Sequence, residues 1–261
     1  MNSATAPVLV THNDGIVTLA FNRPSAMNAL DVPTANAFLQ ACQALVGDST
    51  VRVVVLRGEG RAFGVGGDLA ALQLDSAATA HALISSLHEA VLILTQLNAP
   101  VIASLQGVVA GGSLSLSMAC DLAIAAEGTR FNLAYANVGA SCDVSGSWSL
   151  PRLVGLRAAL EIALLSDTLD TADALRLGLV NRVVPLAELP TATLAMATRL
   201  ATGPTQAYGR LKRLMRQSFE HDLPAQLDAE RENFKASTHT ADFQEAVQAF
   251  LTKRPAVFTG Q

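Results

Sequence analysis

Lysine is scarce in this sequence. The 261-residue chain has only Lys212, Lys235 and Lys253, and its 18 basic residues are outnumbered by 22 acidic ones. A net charge of −4 excludes the broad cationic face that nucleic acid requires, so no nucleic-acid partner is expected. Cysteine is also rare. Cys42, Cys120 and Cys142 are odd in number and widely spaced, with no CxxC pair and no histidine at zinc-finger spacing. That excludes a disulfide framework, indicates no metal, and suits a reducing, cytoplasmic location. Residues 1–14 lack the basic region and the long apolar run of a signal peptide.

Charge is low throughout, at 15%, against 50% hydrophobic residues. Disorder and coiled coils are thereby excluded, and a large interior is expected. Positions 90–120 carry no charged side chain at all. A membrane span needs about 20 predominantly apolar residues. Pro100, Ser104, Gly107, Gly111, Gly112 and Ser113 interrupt this one. A buried strand, a glycine loop and a buried helix fit it better, and no membrane partner is expected.

What is present is a repeated strand, glycine loop and helix. Asn13-Asp14-Gly15 marks a hairpin between Val8–Val10 and Ile16–Phe21. Val32 to Val46 has helical periodicity. Val51 to Leu56 is a near-continuous apolar run, as in a strand buried on both faces. A glycine-rich loop, 58–67, and a long helix, 79–97, follow. Then come a strand at 100–105, a loop at 107–112, a helix at 113–120 and a strand at 121–126. This is α/β layering. Beyond Asp143 the spacing predicts helices over 150–165, 171–177, 189–201, 205–218, 223–236 and 241–253, with one strand at 178–184. Arg210, Lys212, Arg213 and Arg216 read as a solvated face, and Phe131 and Trp148 as core. The division expected is a core with the ligand site over 1–200 and a helical lobe over 201–261.

Two loops could carry chemistry. Gly58 to Leu69 fails as a dinucleotide fingerprint because Phe63 occupies the third glycine position. Gly66-Gly67 can still bring bare backbone N–H groups to a ligand. Gly107 to Ser113 again follows a strand and opens a helix. Taken singly, each loop is equally a tight turn. Two of them after successive buried strands could aim two N–H donors at one oxygen, which is an oxyanion hole. No GxSxG elbow is present. His12, His81, His221 and His239 have no ligand-spaced partners.

Asn22-Arg23-Pro24-Ser25-Ala26-Met27-Asn28-Ala29-Leu30 resembles the NRPxxxNAL signature of the crotonase (enoyl-CoA hydratase/isomerase) superfamily. Ala62 to Leu69 is similar to its AFxAGxDL loop, and Gly107 to Asp121 to its GxAxGGGxxLxxxCD segment. The resemblance spans essentially the whole chain. It implies an α/β, ClpP-like crotonase spiral of ββα units with a C-terminal helical trimerisation lobe, hence a homotrimer or homohexamer. It implies an acyl-CoA thioester as substrate, with CoA belonging to the substrate and no separate cofactor. Backbone N–H groups of Gly67 and Gly112 would hold the thioester oxygen. Arg23, Ala26, Val65, Gly66, Asp68, Leu69 and Tyr135 would line the substrate and CoA groove, with Asp68 holding the loop rather than acting in catalysis.

The base is where this chain departs from hydratases of the superfamily, which position water with two glutamates. Ser115 and Tyr135 stand in those places, and neither replaces a carboxylate near pH 7. Asp143 is the carboxylate that remains. Read alone, it is a helix N-cap or a base. Residues 138–155 are similar to the GxxPDxGxxWxLPRxxG segment of ring-1,2-epoxyphenylacetyl-CoA isomerases and other Asp-type enoyl-CoA isomerases. There the matching aspartate is the acid/base. Cys142 departs from the usual proline. The resemblance thus implies a double-bond shift in an enoyl-CoA. Two alternatives remain open. One is 4-chlorobenzoyl-CoA dehalogenase-like chemistry with Asp143 as nucleophile and His88 nearby, where Tyr135 departs from that family's tryptophan. The other is a non-catalytic acyl-CoA-binding protein.

Overall fold

The computed structural model describes residues 6–73 and 76–261; the first five residues of the N-terminal segment lie outside them. Strands β1 (Val8–Asn13) and β2 (Ile16–Phe21) form the expected hairpin. Asp14 and Gly15 turn it with φ of 47° and 78°, the left-handed pair that suits the twist of a two-residue loop. Asp31 caps α1 (Val32–Gln43) by accepting from the Thr34 N–H at 2.9 Å. Ala35, Phe38 and Cys42 point that helix into the core. Burial pushes the Cys42 thiol up to about 12, so it stays a protonated apolar filler.

The main sheet runs β1-β2-β3-β4-β6-β8, with β3 (Val53–Gly58), β4 (Val101–Leu105), β6 (Leu122–Ala126) and β8 (Arg182–Val184) parallel to β2. Val54 and Leu56 enter one apolar cluster and Val53 and Val55 the other. Helices α1, α2 (Ser76–Gln96) and α3 (Gly111–Ala119) cover the first face, and α7 (Leu189–Ala201) the second. That two-sided cover is why the strand reads as an unbroken apolar run.

A second, shorter ladder crosses each turn of the chain. It pairs β5 (Val108–Ala110) with β7 (Arg130–Asn132), and single bridges extend it through Leu30–Gly67, Gly64–Val109 and Phe131–Leu169. Each turn therefore runs long strand, short rung, helix, which is the expected ββα spiral. The loop expected at 107–112 contains a strand of this ladder, and the strand at 130–132 escaped the sequence pattern. Three-residue strands carry too little periodicity to read locally; pairing creates them. The helix expected over 150–165 is two, α4 (Gly146–Val154) and α5 (Leu156–Leu165), because Gly155 sits at φ 79° between them. The strand expected at 178–184 shrinks to β8.

The uncharged stretch 90–120 is divided among α2, β4, β5 and α3. Among the described residues α2 alone has the length and apolarity to cross a membrane. Its Leu83, Leu87, Ala90, Val91 and Leu94 instead form a buried stripe. The remaining helices are α6 (Thr171–Arg176), α8 (Thr205–Gln217), α9 (Leu223–Ser237) and α10 (Ala241–Leu251).

The cations of α8 are not a solvated face. Lys212 Nζ donates to Asp121 Oδ2 at 2.7 Å and to the carbonyls of Leu94 and Ala99 at 3.2 Å. Arg216 pairs with Asp121 Oδ1 at 3.0 Å and reaches the carbonyls of Thr95 and Ala119 at 3.2 and 3.0 Å. Leu94, Thr95 and Ala119 supply orphan carbonyls at the C-terminal ends of α2 and α3, where a cation also opposes the helix dipole. The sequence reading failed because Asp121 lies 91 residues from Lys212. Burial lowers the Lys212 pKa, opposed by the Asp121 charge. Lys212→Met should therefore cost about 3 kcal/mol, the low end for breaking a buried pair, since Arg216 still faces Asp121. Urea denaturation checks this through the fall in midpoint at unchanged slope.

Candidate active site

Leu30 brackets Gly67 on one edge. Its N–H donates to the Gly66 carbonyl at 2.8 Å and its carbonyl accepts from the Asp68 N–H at 2.9 Å. In a parallel rung the bracketed residue points its own N–H to the other side. Gly67 thus presents a donor with no partner among the described residues. Asp68 holds this loop through Arg23 Nη2 at 3.2 Å, and Arg23 also grips Asp31 at 3.1 Å and the Ala29 carbonyl at 2.5 Å. Its guanidinium is spent on bracing the loop edge. Ala26 and Val65 are partly buried beside it, and Leu69 is 57% exposed.

The second donor comes from α3. Ala110, its N-cap, offers no side-chain acceptor, so the first-turn N–H groups stay open. Gly112 is the second residue of that helix. The two loops touch. Gly66 has φ 90°, and a Cβ there would lie 3.1 Å from the Ala110 oxygen and 3.2 Å from the Gly112 nitrogen. Glycine at 66 is a condition for bringing Gly67 and Gly112 together.

Asp143 faces this pair. A Cβ on Gly112 would stand 3.4 Å from Asp143 Oδ1. That same oxygen accepts a short hydrogen bond from the Tyr135 hydroxyl, and Tyr135 is 3.0 Å from Ser115 Oγ. The two residues in the places of the missing glutamates thus converge on the remaining carboxylate. Burial raises the Asp143 pKa above its ordinary value, opposed chiefly by the Tyr135 hydrogen bond. Burial and the Asp143 charge drive the Tyr135 pKa up in turn, so its proton stays on. Asp143 is not a side-chain cap. Ser145 holds the N-cap position of α4, while the Asp143 carbonyl accepts from the Gly146 N–H at 2.8 Å.

The turn that presents Asp143 is strained. Val144 and Ser145 both lie in the left-handed region, at φ 48° and 69°. For a β-branched residue this costs on the order of 1–3 kcal/mol. The Val144 N–H donates to His88 Nε2 at 3.1 Å. His88 reaches the site from α2, and neither its hydrogen bond nor the Tyr135–Asp143 contact follows from the spacing of residues; only the resemblance drew attention to His88 and Tyr135.

A cavity of about 1260 Å³ between α2, α3, α4 and α8 is lined by Ser145 but by none of Gly67, Gly112, His88, Tyr135 and Asp143. Arg152 is stacked there between Trp148 and Phe219, at 4.1 and 5.5 Å from the ring centroids. Trp148, expected in the core, is 38% exposed, because α4 turns that face outward. The paired donors and the half-buried carboxylate, rather than cavity size, locate the chemistry. Among the described residues no cluster of three or more His, Cys, Asp or Glu side chains could hold a metal.

The sequence model of the enoyl-CoA hydratase/isomerase family matches residues 11–261. The chain is 33% identical to the 1,2-epoxyphenylacetyl-CoA isomerase of Escherichia coli, covering 95% of this chain and 96% of the relative. It is also 33% identical to 4-chlorobenzoyl coenzyme A dehalogenase-2 of an Arthrobacter species, covering 94% and 91%. The crystal structure of an enoyl-CoA hydratase from Mycobacterium smegmatis superposes with a TM-score of 0.91 at 33% identity, covering 97% of this chain and 98% of that one. An isomerase, a dehalogenase and a hydratase thus share this architecture.

Proposed function

The chain belongs to the enoyl-CoA hydratase/isomerase family, whose members act on acyl-CoA thioesters, and from that premise we propose that it shifts a double bond in an enoyl-CoA, Δ3 to Δ2 or a ring-derived equivalent. The carrying observation is a half-buried carboxylate, Asp143, beside the Gly67 and Gly112 N–H groups. Asp143 removes a proton from C2. The C–H electron pair moves into the thioester, and the oxygen becomes an enolate held by Gly67 and Gly112. When the carbonyl re-forms, C2=C3 replaces C3=C4 and Asp143 returns the proton to C4. Each N–H donor is worth roughly 10²–10³ in rate. The segment around Ala26 and the loop Val65–Leu69 line the CoA groove, with Arg23 and Asp68 holding it. No separate cofactor takes part in these steps.

The base count argues against hydration. Adding water needs one group to activate it and another to protonate C2, and Tyr135 holds its proton too tightly to serve. Crotonyl-CoA hydration should run far below the ordinary enzyme range of about 1–10³ s⁻¹. Product analysis for 3-hydroxyacyl-CoA checks this, and turnover within that range would refute the reading. The dehalogenase-like alternative rests on His88 beside Asp143, and halide release from a 4-halobenzoyl-CoA would support it instead.

We also propose a trimeric or hexameric assembly. Leu211, Met215, Leu223, Phe234 and Phe250 on the C-terminal helices, and Phe219 in the turn after α8, are each more than half exposed. Light scattering should give three or six copies; a monomer would contradict this.

A further inference from the structure

We infer that His88 is a positioning residue, whose ring nitrogen holds the strained Asp143–Ser145 turn so that the Asp143 carboxylate faces the oxyanion donors. The inference rests on the isomerase reading only for what Asp143 does, not for how it is held.

The hydrogen bond fixes the roles of the ring atoms. A backbone N–H can only donate, so the 3.1 Å bond from Val144 makes His88 Nε2 the acceptor. The lone pair a general base needs is therefore occupied, and in the neutral ring the proton sits on Nδ1. His88 in this arrangement supports Asp143 rather than activating water.

What it supports needs support. Val144 is fully buried and sits at φ 48°, a conformation a β-branched residue avoids. Ser145 follows at φ 69°. Two successive left-handed residues aim the Asp143 side chain back at Gly112 rather than along α4. The turn is held by the Gly146 N–H bond to the Asp143 carbonyl at 2.8 Å, the Tyr135 bond to Oδ1, the Ser149 and Trp148 N–H bonds to the Ser145 carbonyl at 2.8 and 3.0 Å, and the His88 bond. Of these only the His88 bond acts on Val144 itself. It also ties the turn to α2.

The test is a mutant cycle joining His88→Phe to Val144→Gly, with His88→Gln as a conservative control. Glycine adopts φ near +50° without strain, so it removes the need for the clamp. With 3-enoyl-CoA, His88→Phe should lower kcat by about 10–10²-fold, the scale for a base displaced by roughly 1 Å. KM should change little. In the Val144→Gly background the same change should cost only a few-fold, and His88→Gln, which keeps an acceptor, should retain most of the rate. Equal losses in both backgrounds, or a His88→Gln loss as large as that of His88→Phe, would overturn the inference and make the ring a direct participant. No loss in His88→Phe would overturn it as well. Amide hydrogen exchange at Val144 reads the bond without any reaction. Faster exchange in His88→Phe is expected, and it would stand even if the wild-type enzyme isomerised nothing. Unchanged exchange would overturn the clamp irrespective of substrate.

Discussion

Asp143→Asn is expected to reduce isomerisation by about 10²–10⁴-fold, the contribution of a general acid–base group, while acyl-CoA binding stays close to wild type. Asparagine keeps the size of the side chain and can still accept from Tyr135, but it lacks the basic lone pair. The substrate is held by the groove and by Gly67 and Gly112, which the change leaves alone. The loss should therefore fall on kcat, measured against Kd by calorimetry with a non-reacting thioester.

The same substitution should leave thermal stability unchanged or raise it. Burial lifts the folded-state pKa of Asp143 above its unfolded value. The folded chain then binds that proton more tightly than the unfolded chain. The stabilisation is fullest below the unfolded pKa and is lost as pH rises through the folded one. At neutral pH the ionised carboxylate is a cost, and asparagine removes it. In the wild type, kcat/KM should fall on acidification at a pH above that at which an ordinary aspartate titrates. A lower melting temperature for Asp143→Asn would show that the carboxylate is structural.

Gly66→Ala should be nearly as damaging, for a different reason. At φ 90° an L side chain is strained, and its Cβ would press on the Ala110 oxygen and the Gly112 nitrogen at 3.1 and 3.2 Å. The loop must move away from α3, which separates the two N–H donors. A loss of about 10²–10³-fold is expected, the value of one oxyanion donor. Gly47→Ala is the control. Gly47 has a similar φ of 78° but nothing within 4 Å of the added carbon, so it should cost some stability and no rate. Equal effects at both positions would place the damage in the fold rather than in the site.

The parts of the site that were legible are those encoded by local rules. The hairpin is written in Asp14-Gly15, β3 in an unbroken apolar run, and the two donor loops in glycines that follow buried strands. Gly155 also carries a local signal, a left-handed break after α4, but the apolar periodicity on both sides of it hides the break. What was not legible depends on distance. Lys212 and Arg216 have the spacing of any exposed cationic face, and nothing near them in sequence announces Asp121. The short strands β5 and β7 exist because each pairs with the other. Tyr135 and His88 come to Asp143 from the residue that precedes a short 3₁₀ turn (Ala136–Val138) and from α2, and no spacing rule joins a tyrosine, a histidine and a left-handed valine.

Nuclear magnetic resonance of a 3-enoyl-CoA incubated with the enzyme in ²H₂O tests the central claim most directly. The account predicts a 2-enoyl-CoA product whose C4 hydrogen is the one taken from C2, replaced by deuterium only as far as the Asp143 proton exchanges with solvent, with no oxygen added to the chain and with loss of conversion in Asp143→Asn. A 3-hydroxyacyl-CoA product formed at comparable rate, or conversion that survives the loss of the Asp143 carboxylate, would contradict it.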